Sequence, residues 1–484
     1  KTVPAERLKP LYRDLIGKEV TLGNIFDVAE AIENIYRQSG YPLVRAYVPP
    51  QRVADGVFTI RVVEGRIAAL SVEGGSADVQ ARIRAYLEPA LKSEPLKLPL
   101  IERGLLLAND LPGVTASGVL KPAVNVPGAS DLIVTADQPW INGGLATDNR
   151  GSRFSGIWTV TGDATLNGVI DGEDSLNARL TAAPRSLEQI GGQLRYSHPI
   201  GNDGLTGSLV GVLTHGEPGS SLRAFNVRTD SFAVGPRLTY PLIRTRAQTL
   251  IFDGGFTVQN AKVEVLGAGI SHDHWRVLDV AASYLNNDFL GGNLGLSVDV
   301  AQGLNILGAT PNGSADLSRL GAKTDFTKLT GGVRFQRSLG GGFGVALTAQ
   351  GQYALSPLIT GEQITFGGRQ IGRGYDPGAV TGDHGIGGAA ELRYDHQFAD
   401  MHPLIAVQPY VFYDTAQTWY DNSGAAFDPS LTNQTIASFG GGMRFWLDHD
   451  ITAGIEAART LRAVPGSDGG TKTTKVLFDA AIRF

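Results

Sequence analysis

An arginine set into a glycine-rich stretch is the first candidate for chemistry in this sequence. Arg373 lies between Gly372 and Gly374 inside FGGRQIGRGYDPGAVTGDHG, residues 366–385, where seven of the twenty residues are glycine. Glycine lets a backbone fold back tightly at points where a larger residue would not fit. A long loop with so few apolar residues inside a compact domain is either functional or disordered. We expect this loop to be functional, with Arg373 as the charged residue at its tip.

Other reactive groups are sparse in this sequence. His272, Asp273 and His274 have the composition of a metal site, but they fall in a predicted turn with no third ligand nearby, so we expect no metal there. Residues 385–388, GIGG, match a phosphate loop only in part and lack its strand-turn-helix context. Neither a G-x-S-x-G nor a Walker A lysine motif occurs, and the chain has no cysteine. The prediction is a protein that is not an enzyme and needs no cofactor.

Composition narrows the class of protein. The 484 residues include 63 glycines, charged residues reach only 18%, and the formal net charge is −5. A nucleic-acid binder is usually basic with clustered lysine and arginine, so we expect no nucleic-acid partner. No run of about 18 apolar residues occurs, which argues against a transmembrane helix. A membrane β-barrel stays open, because its alternating strands average to a hydropathy near zero, and the mean hydropathy here is −0.03.

The first 140 residues differ from the rest in carrying helical periodicity. Apolar spacing predicts helices over 4–16, 22–39, 79–91 and 100–111. Strands are predicted over 44–48, 57–63, 67–72, 114–120 and 131–136. The order helix, helix, strand, strand occurs twice, the second time with a leading strand. We interpret this part as two small α+β modules, residues 1–66 and 67–140.

From about Ile141 to Phe484, short segments alternate between apolar and polar residues. Phe343, Val345 and Leu347 form one such set, which gives the strand one apolar and one polar face. Alternation alone fits a soluble sandwich as well as a membrane barrel. About sixteen segments, spaced by roughly 21 residues, favour an antiparallel membrane β-barrel over 141–484, since bacterial outer-membrane barrels have even strand numbers.

The last segment, VLFDAAIRF, ends the chain on an aromatic residue. Phe478, Ile482 and Phe484 lie on one face of this predicted strand. The arrangement is similar to the signal by which outer-membrane barrels are recognised for assembly. A simple edge strand is the alternative.

Several motifs resemble those of the outer-membrane transporters of two-partner secretion systems, in the POTRA-plus-barrel superfamily. Residues 11–67, with YRQSGYP at 36–42 and VPPQR at 48–52, resemble the polypeptide-transport-associated (POTRA) domain of these transporters. TDNRGSRFSG at 147–156 resembles their barrel entry. The first module lacks the leading strand of such a domain and any plug helix before it, so we expect either a truncated sequence or a protein that has not retained these parts.

The glycine-rich stretch resembles the long sixth extracellular loop of this family, which folds back into the barrel lumen. It falls between the eleventh and twelfth predicted strands, and its tip reads GRGY where the family has VRGY or VRGF. FYDTA on the thirteenth strand stands for the family pattern F-x-D-x-G. The residues that match or support these motifs are Gly367, Gly368, Arg373, Gly374, Tyr375, Gly382, Asp383, Gly385, Phe412 and Asp414.

The resemblance implies that Arg373 and Asp414 meet inside the barrel as a guanidinium–carboxylate pair, which would latch the loop. Two residues depart from the family. Gly372 replaces the valine of the tip and predicts a looser tip, and Ala416 replaces the glycine of the strand motif.

The resemblance also implies a function. POTRA modules in the periplasm of a Gram-negative bacterium would recognise an unfolded, β-rich exoprotein by its N-terminal secretion domain, and the barrel would pass it across the outer membrane. The other implied partners are outer-membrane lipid and, during biogenesis, the barrel assembly machinery, with the transporter a monomer. Two alternatives stay open. An insertase of outer-membrane proteins shares the loop motif but usually has three or more POTRA modules, and a passive porin has none. The identity of the cargo is not predicted.

Overall fold

The computed structural model describes residues 2–484 except 54–55, 125, 127, 185–187, 400–401, 422–432, 449 and 465–470. These residues form two compact units. One comprises Lys1–Trp140, Asn167–Asp174 and Ile200–Gly204, and the other comprises Ile141–Leu166, Ser175–Pro199 and Leu205–Phe484. No helix among the described residues is both long and apolar enough to cross a membrane.

The first module of the smaller unit is built around one amphipathic helix. Helix α1 (Ala5–Leu8) is followed by α2 (Leu22–Gln38) and by an antiparallel pair, β1 (Arg45–Tyr47) and β2 (Arg61–Val63). The side chain of Thr21 caps α2 by accepting a hydrogen bond from the Asn24 backbone N–H at 3.3 Å. The predicted helix over 4–16 is wrong beyond Leu8, where two 3₁₀ turns follow. Pro10 explains the change, since proline has no N–H to continue an α-helix.

The second module packs two helices on a three-stranded sheet. Strand β3 (Arg66–Glu73) precedes helices α3 (Ala77–Leu91) and α4 (Leu98–Asn109), and β4 (Thr115–Pro122) and β5 (Ala129–Asp137) follow. Strand β5 lies in the middle, parallel to β3 and antiparallel to β4. Val79, Ile83 and Leu87 of α3 are fully buried against this sheet. The predicted order of elements is confirmed, and most boundaries are shifted by one or two residues.

The larger unit is a closed antiparallel barrel of sixteen strands among the described residues, as predicted. The twelfth strand consists of β19 and its short continuation β20. The barrel strands are β6 (Ile141–Asp148), β7 (Thr159–Asn167), β8 (Ser175–Ala182), β9 (Gln189–Ile200), β10 (Leu205–Gly216), β11 (Arg228–Arg244), β12 (Gln248–Val265), β13 (Ala268–Phe289), β14 (Gly292–Gly303), β15 (Thr327–Gly340), β16 (Phe343–Ala354), β19 (His384–Tyr394), β20 (His396–Gln397), β21 (Leu404–Trp419), β22 (Asn433–Leu447), β23 (Ile451–Thr460) and β24 (Thr474–Arg483).

The barrel closes where its last strand meets its first. Residues Asp479–Arg483 of β24 pair with Gly144–Asp148 of β6, and the Phe484 backbone N–H donates to the Gly143 carbonyl at 3.0 Å. Phe478, Ile482 and Phe484 are all exposed apolar side chains of this final segment. Its role as an assembly signal stays a prediction.

The glycine-rich stretch lies between the eleventh and twelfth barrel strands, as predicted. It begins and ends in a small hairpin formed by β17 (Ile364–Phe366) and β18 (Val380–Gly382). His384 already belongs to β19, so the predicted loop 366–385 overlaps the twelfth strand at its end. The hairpin leaves residues 367–379 as the part that reaches the barrel wall.

Candidate functional site

The alternation of residues along each barrel strand determines which side chains face the loop on the inner wall. On β21, Val411 and Tyr413 are exposed, whereas Phe412 is buried and Asp414 is fully buried. Successive residues of a strand point to opposite faces, so Phe412 and Asp414 face the lumen. Ser438 on β22 pairs with Asp414 in the strand register and lies beside it. A carboxylate and a hydroxyl thus meet on the inner wall.

The backbone at the loop tip is bound by these two side chains. The Arg373 backbone N–H donates to Asp414 Oδ2 at 3.1 Å, and the Gly374 N–H donates to Ser438 Oγ at 3.1 Å. Ser438 Oγ in turn donates to Asp414 Oδ1. Two consecutive residues of the tip are therefore held through their main-chain N–H groups.

The predicted guanidinium–carboxylate pair between Arg373 and Asp414 is wrong in its chemistry, although the two residues are in contact. Arg373 Nη1 instead lies 2.9 Å from Glu391 Oε2 and 3.3 Å from Glu456 Oε2. The guanidinium carbon sits 4.2 Å from the centre of the Phe412 ring, within the range of a cation–π contact. The tip turns its amides toward Asp414, so the long side chain extends past it to the carboxylates.

These carboxylates belong to a wider ionic network on the inner wall. Glu391 receives two hydrogen bonds from Arg444, at 2.8 and 2.9 Å. Glu456 accepts from Arg150 at 3.0 Å and from the Tyr410 hydroxyl at 2.7 Å. Sequence reasoning missed this set, because its members lie on β19, β22 and β23 and after β6, with no shared motif. An inward-facing charge on each of these strands was the only signal available.

Tyr375 anchors the tip at a second point. Its side chain is buried, and its hydroxyl lies 2.9 Å from the Ala437 carbonyl and 2.8 Å from the Arg462 carbonyl. Around it, an apolar cluster joins the loop to the wall. Its buried members are Ile364, Phe366, Ile371, Tyr375, Val380, Ala416, Ile436 and Val464. The few apolar residues of the loop are thus placed where they can pack.

Gly372 and Ala416, the two departures from the family motifs, both lie in closely packed surroundings. Gly372 has φ +85°, and a Cβ added there would lie 2.5 Å from Ile436 Cδ1 and 3.0 Å from Gly367 Cα. Only glycine adopts this backbone without strain and fits this space. Ala416 is 3% exposed and belongs to the apolar cluster. The looser tip expected from Gly372 stays a prediction, and the close surroundings of this glycine are the structural feature that bears on it.

The end of the loop is fixed through Asp383. This carboxylate is fully buried and lies 2.5 Å from Arg319 Nη1, in the segment between β14 and β15. It also accepts from the backbone N–H groups of Leu358 and Asp421, each at 3.0 Å. A Cβ added at Gly367, Gly382 or Gly385 would lie less than 3 Å from a neighbouring atom, and Gly368 has φ +95°. Every sequence-predicted residue of the loop therefore lies at or beside this site.

A sixteen-stranded barrel with a charged loop bound to its inner wall and an α+β unit before it defines a class, the barrel transporters of the outer membrane. The family model for "Haemolysin secretion/activation protein ShlB/FhaC/HecB" matches residues 128–445, and the ShlB-type POTRA domain model matches residues 1–65. The chain belongs to this family of two-partner secretion transporters.

Curated relatives agree with this assignment. The chain is 22% identical over 458 residues to the heme/hemopexin transporter protein HuxB of Haemophilus influenzae strain 86-028NP, which covers 92% of this chain and 78% of that protein. It is 26% identical over 380 residues to the hemolysin transporter protein ShlB of Serratia marcescens, covering 76% and 65%.

Solved structures show the same fold. CdiB from Escherichia coli superposes with a TM-score of 0.78 at 20% identity, covering 100% of this chain and 88% of that one. BamA from Haemophilus ducreyi lacking POTRA domains 1–3 gives a TM-score of 0.59 at 14% identity, covering 99% and 98%. The protein is an outer-membrane transporter of exoproteins, and its N-terminal domains face the periplasm. The insertase alternative is not favoured.

Proposed function

We propose that the loop 366–385 acts as a latch that must occupy one position on the inner wall for the transporter to secrete its exoprotein. The observation that carries this proposal is the double attachment of the tip. Asp414 and Ser438 bind its backbone, while Glu391 and Glu456 bind the Arg373 side chain. Buried ion pairs fix position better than they add stability, which suits an element that must hold one place.

The transport path that we propose has three steps. The two N-terminal domains, 1–66 and 67–140, capture the unfolded exoprotein in the periplasm, and the chain then crosses through the lumen of the barrel, 141–484. Folding at the cell surface withdraws the unfolded form from the equilibrium, which gives transport its direction. The transporter works as a monomer without catalysis, and the barrel assembly machinery inserts it through the final strand.

Two substitutions test the latch. Asp414→Ala leaves the Arg373 backbone N–H without its acceptor, and Arg373→Ala leaves the Glu391 and Glu456 carboxylates without one of their cationic partners. An unpaired buried polar group costs about 1–3 kcal/mol, and more when it is charged, so we expect each variant to secrete the cognate exoprotein about tenfold less. Immunoblotting of culture supernatants against cell fractions measures this. Heat-modifiable migration in gels checks that the barrel is assembled.

Arg246→Ala is the matched control. Arg246 is exposed in the turn between β11 and β12, outside the barrel strands that contact the loop, so its loss should leave secretion near the wild-type level. Normal secretion by both the Arg373→Ala and the Asp414→Ala variant would contradict the proposed role of the loop as a latch.

We also propose that the exoprotein binds by adding a strand to a sheet edge of the second module. Strand β4 is an edge of the sheet β3-β5-β4, and its Val119 is 56% exposed. A lysine on an exposed edge discourages strand pairing, so Val119→Lys should lower secretion, whereas Val119→Thr keeps a good strand former and should not. Equal secretion by the two variants would argue against this edge as the capture site.

A further inference from the structure

Two histidines near the end of a long barrel strand bring their side-chain nitrogens together. The turn predicted at 272–274 is wrong, because these residues lie inside β13. His272 pairs with Lys262 of β12, and His274 pairs with Asn260. Residues two apart in a strand share a face. The two Nε2 atoms are 3.0 Å apart, and the rings meet edge to face with centroids 4.3 Å apart.

This separation suits a shared metal ion. With metal–nitrogen bonds of about 2.0–2.1 Å, nitrogens 3.0 Å apart subtend an angle of roughly 90–100° at the ion. Such an angle belongs to neighbouring ligands of a square-planar or tetragonal ion, the geometry of Cu²⁺ and Ni²⁺. Among divalent ions of the first transition row, Cu²⁺ binds nitrogen ligands most tightly.

The segment between β14 and β15 holds both histidines in place. The His272 backbone N–H donates to the Asp316 carbonyl at 2.7 Å, and the His274 N–H donates to Thr310 Oγ1 at 2.9 Å. These hydrogen bonds fix the backbone on both sides of Asp273, so the two histidine side chains leave the strand from set positions.

The neighbouring charges leave room for a cation. Lys262 lies beside His272, but its ammonium is paired with Glu264 at 2.5 Å. The guanidinium of Arg276 donates hydrogen bonds to the carbonyls of Leu307 and Gln259. The Asp273 side chain accepts from the Ser318 N–H on the opposite face. No unpaired positive group among these neighbours faces the two nitrogens.

The pair is open to solvent at the cell surface. His272 is exposed and His274 is half-buried. The turn that joins β12 to β13 lies at the barrel end opposite Ile141, where the first strand starts, because seven antiparallel strands separate them. That end faces outward when the N-terminal domains face the periplasm.

We propose that His272 and His274 form a two-histidine site for Cu²⁺ at the cell-surface end of the barrel, with water in the remaining coordination positions. Among the described residues, no group of three or more His, Asp or Glu side chains could hold a metal ion. The site is thus a chelate with two protein ligands, weaker than a three- or four-ligand site and open to exchange.

Copper titration of the purified full chain, without a histidine tag, tests this site. Calorimetry should show one saturable Cu²⁺ site, and electron paramagnetic resonance should show coupling to two nitrogens. Either His272→Ala or His274→Ala should weaken binding by about tenfold or more. Ni²⁺ should bind less tightly than Cu²⁺.

His215→Ala is the control variant. His215 is an exposed histidine on β10, hydrogen-bonded to Asp230, and its loss should leave copper affinity unchanged. A hydrogen bond between the two imidazoles could by itself produce the observed distance. In that case no saturable copper site would appear, or copper binding would survive in both His272 and His274 variants, and either result would overturn the proposal.

Discussion

Gly372→Val restores the residue of the family motif, and we expect it to lower secretion rather than improve it. Gly372 adopts φ +85°, a backbone conformation that costs an L-residue about 1–2 kcal/mol. The added Cβ would also lie 2.5 Å from Ile436 Cδ1, on a side chain that is fully buried. Both effects push the tip away from Asp414, so secretion should fall by several fold while the barrel still assembles.

A matched pair of variants separates the two causes. Ile436→Ala shortens the side chain that Gly372 approaches, so combined with Gly372→Val it should recover part of the secretion if overlap contributes. Improved secretion by the Gly372→Val variant alone would contradict the close packing described for the tip.

We expect Glu456→Ala to weaken the attachment of the loop tip, because it removes one of the two carboxylates that bind the Arg373 side chain. Glu456 is 2% exposed and accepts hydrogen bonds from Arg373, Arg150 and Tyr410. Removing one partner of a buried ion pair typically costs about 3–5 kcal/mol. The loop should therefore leave its place more often, and planar-bilayer recordings should show open events about a hundredfold more frequent or more, since each 1.4 kcal/mol is a factor of about ten.

Asp479→Ala provides the control. Arg150 pairs with both Glu456 and Asp479, so this variant removes the second carboxylate partner of Arg150. Asp479 lies 3.3 Å from Arg150, but its side chain is 36% exposed, and partly exposed pairs contribute little. Conductance of this variant should stay close to that of the wild type. If the Glu456 and Asp479 variants opened equally often in these recordings, the claim that Glu456 holds the loop would be contradicted.

The barrel could be predicted from the sequence because its signal is local. Residues that alternate along one strand, such as Val411, Phe412 and Tyr413, reveal their two faces without knowledge of any neighbour. The position of the loop between the eleventh and twelfth strands followed from counting such segments.

The chemistry of the latch could not be predicted because it depends on contacts across the lumen. Arg373 and Asp414 were expected to meet, but only the fold shows that the tip presents its amides to Asp414. Glu391 and Glu456 are 18 and 83 residues from Arg373 along the chain. No spacing in the sequence relates them to the loop.

The packing of the tip was equally hidden. Gly372 looked like a loss of the family's valine, since a sequence shows a missing side chain but not the side chain of Ile436 that occupies the same space. Pro10, by contrast, was visible in the sequence. It ends an α-helix that the apolar spacing alone would continue.

Hydrogen–deuterium exchange of the tip peptide, in the full-length transporter embedded in liposomes, tests the central claim most directly. The backbone amides of Arg373 and Gly374 are held by Asp414 and Ser438, so they should exchange slowly in the wild type and much faster after Asp414→Ala. Exchange of these amides at the rate of an exposed loop in the wild-type protein would contradict the account.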